Sequence, residues 1–484
     1  MNNRTEFLVI KDLEVTTQHV VHGYNNSGVF QSYESFDVSG NSSDMRTAAE
    51  QREVQKKLLL SGTIRNPVLN DCPSFDADRN ARHRMYQVNR SLMHVQELRR
   101  ASGAADTAED RLLDQTIAMR INELGYVETA ALLAQGGLDS TARANVGQML
   151  KQAGRQIYGM PSVARAEALF GERLTLAETY GSTSGHPLAD IAYQLVGSTA
   201  FQPNKIQEFP KAMQPETAAY YRQMVHDICQ GAIDYSLQEI GVKDSYSVEE
   251  MTALIFRHMQ FKGLDEEGWT SDLVEDRSMC AAKMAGLVIE IGAERPKSQL
   301  THAAVIKSGT HEILHAERQA NGKHLGDGLA EFGLPGYSMF EEPFVEAVAV
   351  LVEGIPKLGG DAYILGIALA AGYDGTERDF RDSFEMAWRF GLIKNFKSDK
   401  LMQSQIETAR KNAYNSQVRI WRGMPTDIPG CIFPKDRAYD NADVLAYLEN
   451  DGNMRPRRDF MRLLEAKYNP LDSAHDAYIR SLTI

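Results

Sequence analysis

The chain has 484 residues, of which 43% are hydrophobic and 24% charged, with 16 prolines; this composition excludes a disordered or fibrous protein, and the length suits two or three domains. The formal charge of −13, from 52 basic and 65 acidic residues, is spread along the chain, which argues against a phosphate-tracking surface and against nucleic acid as a partner. Cys72, Cys229, Cys280 and Cys431 lie far apart with no CxxC pair, so neither a disulfide framework nor a thiolate metal site is expected, and a reducing, cytoplasmic compartment fits best.

The N-terminal segment offers only the short apolar run 7–10, less than a signal peptide requires. No window reaches the roughly 18 apolar residues of a membrane span, so no membrane partner is expected. Residues 1–75 are rich in Asn, Ser and Gly around one helical patch near 44–60 and are expected to form a loosely ordered arm. From residue 76 to 265, apolar residues recur every three or four positions, as in 105–133 and 215–240, which predicts a helical region. The third region, 266–484, opens with the β-branched run Leu287-Val288-Ile289-Glu290-Ile291 before Gly292, the clearest strand in the chain.

A helix over 299–320 follows, with Asn321-Gly322 supplying the residue types that end helices. A Gly-rich loop over 322–337 leads to an apolar helix over 342–352, and further helical patterns run from 361 to 413. For the second helix two signals compete. Ser338 with Glu341 three later resembles a capping box, whereas Pro343 prefers a first turn; the proline argues for a start near Glu342. The expected fold class is therefore α+β, mostly α, with a small sheet.

Inside the first of these helices lies His311-Glu312-Ile313-Leu314-His315. Residues four apart share a helix face, so the two imidazoles can aim at one ion, and the pattern points to a single Zn2+. Hydrolytic zinc takes three protein ligands and leaves one position for water. Glu312 is then free to move a proton. A plainer reading is a solvent face that happens to carry both histidines, between Lys307 and Arg318.

Against it stands the next helix, where Glu342, Glu346 and Glu353 fall within about 40° of one another on an otherwise apolar segment. Glu342 is the expected third ligand and Glu341 its rival, while Glu346 is placed to hold a ligand histidine through its second nitrogen. Tyr337, between the two segments, is the candidate donor to an oxyanion, or else a pocket-lining tyrosine. His302, nine positions before His311, should face away from the metal.

These residues, in this order, resemble a known family: the metallopeptidase family of unknown function 1704, with the QEGLA-motif proteins of bacteria and the microtubule-associated tyrosine carboxypeptidases of animals. The likeness runs through His311-Glu312-Ile313, His315, Arg318, Asn321-Gly322, Gly333-Leu334-Pro335-Gly336-Tyr337 and Glu341-Glu342. It continues through Asn412-Ala413-Tyr414, Arg419-Ile420-Trp421-Arg422-Gly423, and Phe433-Pro434-Lys435-Asp436 with Tyr439, covering about 290–448.

The resemblance implies a gluzincin-like catalytic core with added helices, and removal of a carboxy-terminal residue, tyrosine in the animal enzymes, from a protein or peptide. The sequence departs from it in having two residues rather than three between the histidines, and Pro343-Phe344-Val345 where the family has Gly-Leu-Ala. A carboxypeptidase must hold a free carboxylate, for which Arg318, Arg419, Arg422 and Lys435 are the candidates. The rival readings are a zinc aminopeptidase or endopeptidase, and a non-catalytic regulatory protein retaining the fold.

Overall fold

The computed structural model describes residues 45–69, 79–103, 107–135, 137–199, 212–275, 279–283, 286–325, 329–330, 333–352, 354–450 and 457–483. The periodic segments form helices: α1 (Met45–Leu60), α2 (Arg79–Ser102), α3 (Ala108–Gln135), α4 (Ser140–Tyr158), α5 (Val163–Ser182), α6 (Ala189–Gly197), α7 (Pro215–Ile240) and α8 (Val248–Phe261). Local chemistry sets several of their starts. Pro215 occupies the first turn of α7, and Ser247 with Glu250 closes a reciprocal capping box on α8.

Three short strands follow, β1 (Thr270–Val274), β2 (Cys280–Lys283) and β3 (Val288–Gly292). They form one sheet in the order β1-β3-β2, with β1 parallel to β3 (Ser271 beside Ile289) and β2 antiparallel to it (Ala282 beside Ile289). The remaining helices are α9 (His302–His324), α10 (Ser338–Leu351), α11 (Asp361–Ala370), α12 (Phe380–Asn395), α13 (Gln403–Trp421), α14 (Ala442–Glu449), α15 (Arg457–Arg462) and α16 (Ser473–Leu482). The architecture is mostly α with one small sheet. No helix among the described residues is long and apolar enough to cross a membrane.

Three apolar cores hold these layers. The first joins α3–α6 to α11–α13 through Tyr126, Phe170, Phe380 and Trp421. The second gathers α7, α10 and the C-terminal helices around Tyr221, Phe340, Phe344, Phe460 and Tyr468. The third packs α8 and the sheet against α9 through Met259, Trp269, Ile289, Ile291 and Ile313. Helix α9 is thus clamped on two sides, Ile306 and Leu314 entering the second core and Val305, Ile313 and Ala316 the third. The first two cores draw on residues from both sides of position 265.

Most of the expected N-terminal arm, 1–44 and 70–75, lies outside the described residues. Its described part packs firmly: Leu59 and Leu69 are buried in the first core, and Thr426 donates to the Pro67 carbonyl at 2.6 Å.

Two helix boundaries differ from expectation. Helix α9 runs through Asn321-Gly322 to His324, because Asn321 spends its amide on the Leu464 carbonyl at 2.9 Å, and Lys323 and His324 pair with Glu267. Helix α10 starts at Ser338, not near Glu342, and carries Pro343 in its second turn. The proline removes one backbone bond, but that turn is held from outside by the buried Glu341, described below.

Candidate metal centre

The HExxH segment sits in the middle of α9, where His311 and His315 face α10 across the helix pair. Their Nε2 atoms are 3.3 Å apart. From α10, Glu342 Oε2 comes within 3.6 Å of His311 Nε2 and 3.7 Å of His315 Nε2. These are the three residues that bring possible metal donors together among the described residues. Three donors bound at about 2.0–2.2 Å to one tetrahedral ion stand about 3.3–3.6 Å apart. The observed triangle fits that spacing, and two imidazoles with one carboxylate form a donor set that zinc hydrolases use.

Electrostatics agree with a shared positive occupant. Burial alone would lower the His311 pKa, but the carboxylates of Glu342 and Glu346 outweigh it and hold the imidazole at about 10. His315 is raised in the same way: burial opposes, while Glu342 and Glu341 prevail. Glu342 lies well below the usual carboxylate range, because the two histidines overcome the cost of burying its charge.

Behind each histidine stands a second carboxylate of α10. Glu341 Oε1 is 2.8 Å from His315 Nδ1, and its Oε2 accepts from Arg318 Nη1, with Lys467 Nζ 3.9 Å from Oε1. Glu341, the expected rival ligand, thus faces the outer nitrogen of His315 and Arg318, outside the donor triangle. Glu346 Oε2 lies 3.5 Å from His311 Nδ1, and its Oε1 is 2.5 Å from Lys307.

Glu312 lies on the β2 side of His311, where the Ala282 N–H donates to its Oε2 at 2.7 Å. The edge strand thus fixes one carboxyl oxygen of Glu312.

Of the four basic residues proposed to hold a carboxylate, two are fully committed to the interior. Arg318 is 0% exposed, bound to Glu341 and lying over the Phe344 ring. Arg422 is 2% exposed and donates to Asp436 at 2.8 Å over the Phe433 ring. Both are buried, and each guanidinium expected to receive a substrate carboxylate is instead the counter-charge of a buried carboxylate. Arg419 is part-exposed, but Asp436 accepts from it at 2.7 and 3.1 Å. Lys435 is half-buried on the 434–439 turn.

Tyr337 caps α10 and packs its ring against Gly333, whose φ is 88° and where a Cβ would meet that ring at 2.6 Å. His302 faces away from the cluster, 2.9 Å from the Tyr246 hydroxyl, as expected.

Sequence reasoning assigned no role to Tyr439. It ends the turn Pro434–Tyr439, which packs on α10, and its phenol pKa is raised first by burial and then by the charge of Glu342. That turn is pinned by close backbone approach: Gly360, at φ 77°, lies so near the Tyr439 carbonyl that a Cβ would stand 2.6 Å from it. Membership of Tyr439 in a matched stretch was the signal available. The Ala282 N–H carried none, being backbone. In comparisons with known proteins, no protein-family model, curated protein or solved structure matches this chain.

Proposed function

We propose that the chain is a zinc-dependent metallopeptidase of gluzincin type that removes a residue from the carboxy terminus of a protein or peptide. The observation that supports this most directly is the triangle of His311, His315 and Glu342 donors at 3.3–3.7 Å, with the carboxyl of Glu312 anchored beside it on an edge strand. The motif resemblance over about 290–448 supports the carboxypeptidase part.

In this reading His311, His315 and Glu342 hold the ion. The chemistry a bound zinc supplies is Lewis acidity, which brings the pKa of water to about 7 and polarises a carbonyl. Glu312 takes the proton of the attacking water and delivers it to the leaving amine nitrogen. Its Oε2, already accepting from Ala282, keeps the carboxyl from rotating away. Glu341 holds His315 at its outer nitrogen, and Glu346 stands 3.5 Å from the outer nitrogen of His311. Tyr439, next to Glu342, and Tyr337, at the mouth of α10, are the phenols available to a developing oxyanion.

Metal analysis of purified protein tests the first part: one zinc per chain is expected, and a protein that holds none and takes none up refutes it. Mass spectrometry of peptides differing in their last residue, with Glu312→Gln as the inactive control, tests the second. Cleavage of internal bonds in carboxy-amidated peptides would replace the carboxypeptidase by an endopeptidase.

A further inference from the structure

The turn after β3 carries Arg295, which lies outside every motif considered above. Its Nη1 is 3.1 Å from Cys280 Sγ on β2, and its Nη2 is 3.3 Å from Ser308 Oγ on α9. Its Nε is buried without a hydrogen-bond partner. No ion pair among the described residues involves it, whereas Arg318 pairs with Glu341, and Arg419 and Arg422 share Asp436. Its two neighbours are both neutral. The Cys280 thiol is pushed up to about 12 by burial, more than Arg295 draws it down, so it does not cancel the guanidinium charge.

Position matters as much as charge. Ser308 is four residues before Glu312 and three before His311, so all three share one face of α9, with Ser308 one turn toward its start. Cys280 is two residues from Ala282 on the same strand, hence on the same side of the sheet, and Ala282 is the residue that holds Glu312. Arg295 thus bridges β2 and α9 one helical turn from the proposed base. Four residues of helix rise about 6 Å. One extended residue spans about 3.3–3.6 Å and a charge-assisted hydrogen bond adds about 2.8 Å, which together cover the same distance.

We infer that Arg295 is the receptor for a carboxylate one residue beyond the reacting carbonyl, and so the residue that restricts the site to free carboxy termini. The inference rests on the peptidase reading of the histidine–glutamate cluster. Arg295 is preferred to Arg419, which already donates twice to Asp436.

Binding separates the two claims. Zinc-loaded Glu312→Gln protein is titrated calorimetrically with an N-acetylated dipeptide bearing a free carboxylate and with its carboxamide twin, with and without Arg295→Gln. The free acid should bind more tightly than the amide, and Arg295→Gln should weaken the acid about 10- to 100-fold while leaving the amide unchanged. Arg295→Lys, which keeps the charge but not the fork, should fall between the two. Equal zinc content and melting temperature across the variants check that the fold is kept. If acid and amide bind alike, or if Arg295→Gln binds the acid as well as the parent does, the inference is overturned. If the carboxylate preference depends on Arg295 but no peptide is cleaved by the unmutated, zinc-loaded protein, the peptidase reading fails and the carboxylate site stands.

Discussion

His311 and His315 leave the same helix one turn apart and meet the same carboxylate, yet the ground behind them differs. Behind His315, Glu341 is 2% exposed and bound by Arg318, which is itself 0% exposed, with Lys467 close by. Behind His311, the side chains of Glu346 and Lys307 are 42% and 43% exposed, and the carboxylate stops 3.5 Å short of the ring nitrogen. One imidazole is held by a desolvated ion network and the other by a pair in contact with water. Desolvation strengthens a charge pair and also raises the cost of breaking it, so the two sides of the proposed metal site should respond very differently to equivalent substitutions.

The largest effect is expected at Arg318. Arg318→Ala leaves Glu341 buried with its principal counter-charge gone, which should cost about 3–5 kcal/mol of folding stability. Denaturant titration of the metal-free protein measures this, and a loss below about 1 kcal/mol would show that the network behind His315 is no more than a surface pair.

Next comes the pair of conservative substitutions that separates the two histidines. On the proposed zinc site, Glu341→Gln should weaken zinc binding about 10- to 100-fold, the usual cost of losing a partner that orients a ligand. Glu346→Gln should weaken it less than about threefold, since its contact with His311 is already long and solvated. Competition against a chelator of known affinity reads both, and equal losses would abolish the contrast.

A third histidine sharpens the comparison from another direction. His258 on α8 is as deeply buried as His315, but no carboxylate among the described residues pairs with it; burial, aided by the Lys262 ammonium that Glu317 binds at 3.1 Å, lowers its pKa to about 3. Its folded pKa lies below its unfolded value of about 6.5, so between pH 6.5 and 3 the unfolded chain binds a proton that the folded chain refuses. Stability contributed by neutral His258 is whole above pH 6.5 and is lost on acidification, by about 1.4 kcal/mol per pH unit across that window. Denaturant titrations at pH 7, 6 and 5 should show a shallower decline for His258→Gln than for the parent protein. Parallel declines would mean that His258 is protonated in the folded state.

The sequence disclosed those features that depend on helical periodicity. His311, Glu312 and His315 follow from spacing on one helix, and Glu342 from the acidic stripe on the next. Pro343 favoured Glu342 over Glu341 as the expected ligand but misplaced the start of α10: its local preference for a first turn yields to the tertiary pairing of Glu341 with Arg318, which fixes the turn before it. Arg318 and Arg422 were candidates for a substrate carboxylate because a guanidinium suits one, and their burial depends on carboxylates on other elements. Strands β1 and β2 left no alternation to read. Thr270–Val274 alternates only weakly between exposed and half-buried, and Cys280–Lys283 is half-buried throughout. Arg295 could not be found at all, since what marks it is a pair of neutral partners in space, with no carboxylate paired to it among the described residues.

The smallest effect is expected at Lys307, and its direction is the informative part. Lys307 and Glu346 are too exposed for their pair to add more than about 1 kcal/mol, so Lys307→Met should barely move the unfolding midpoint. The same lysine, however, draws Glu346 toward itself and away from His311 Nδ1, which is buried without a hydrogen-bond partner. With Lys307 removed, Glu346 is released to close the 3.5 Å gap and donate its charge to that nitrogen, as Glu341 already does for His315. Zinc should then bind about two- to threefold more tightly, an effect in the opposite sense to every other substitution considered. Weaker binding in Lys307→Met would mean that the lysine positions Glu346 rather than competing for it, and the exposed side of the site would then be organised like the buried one.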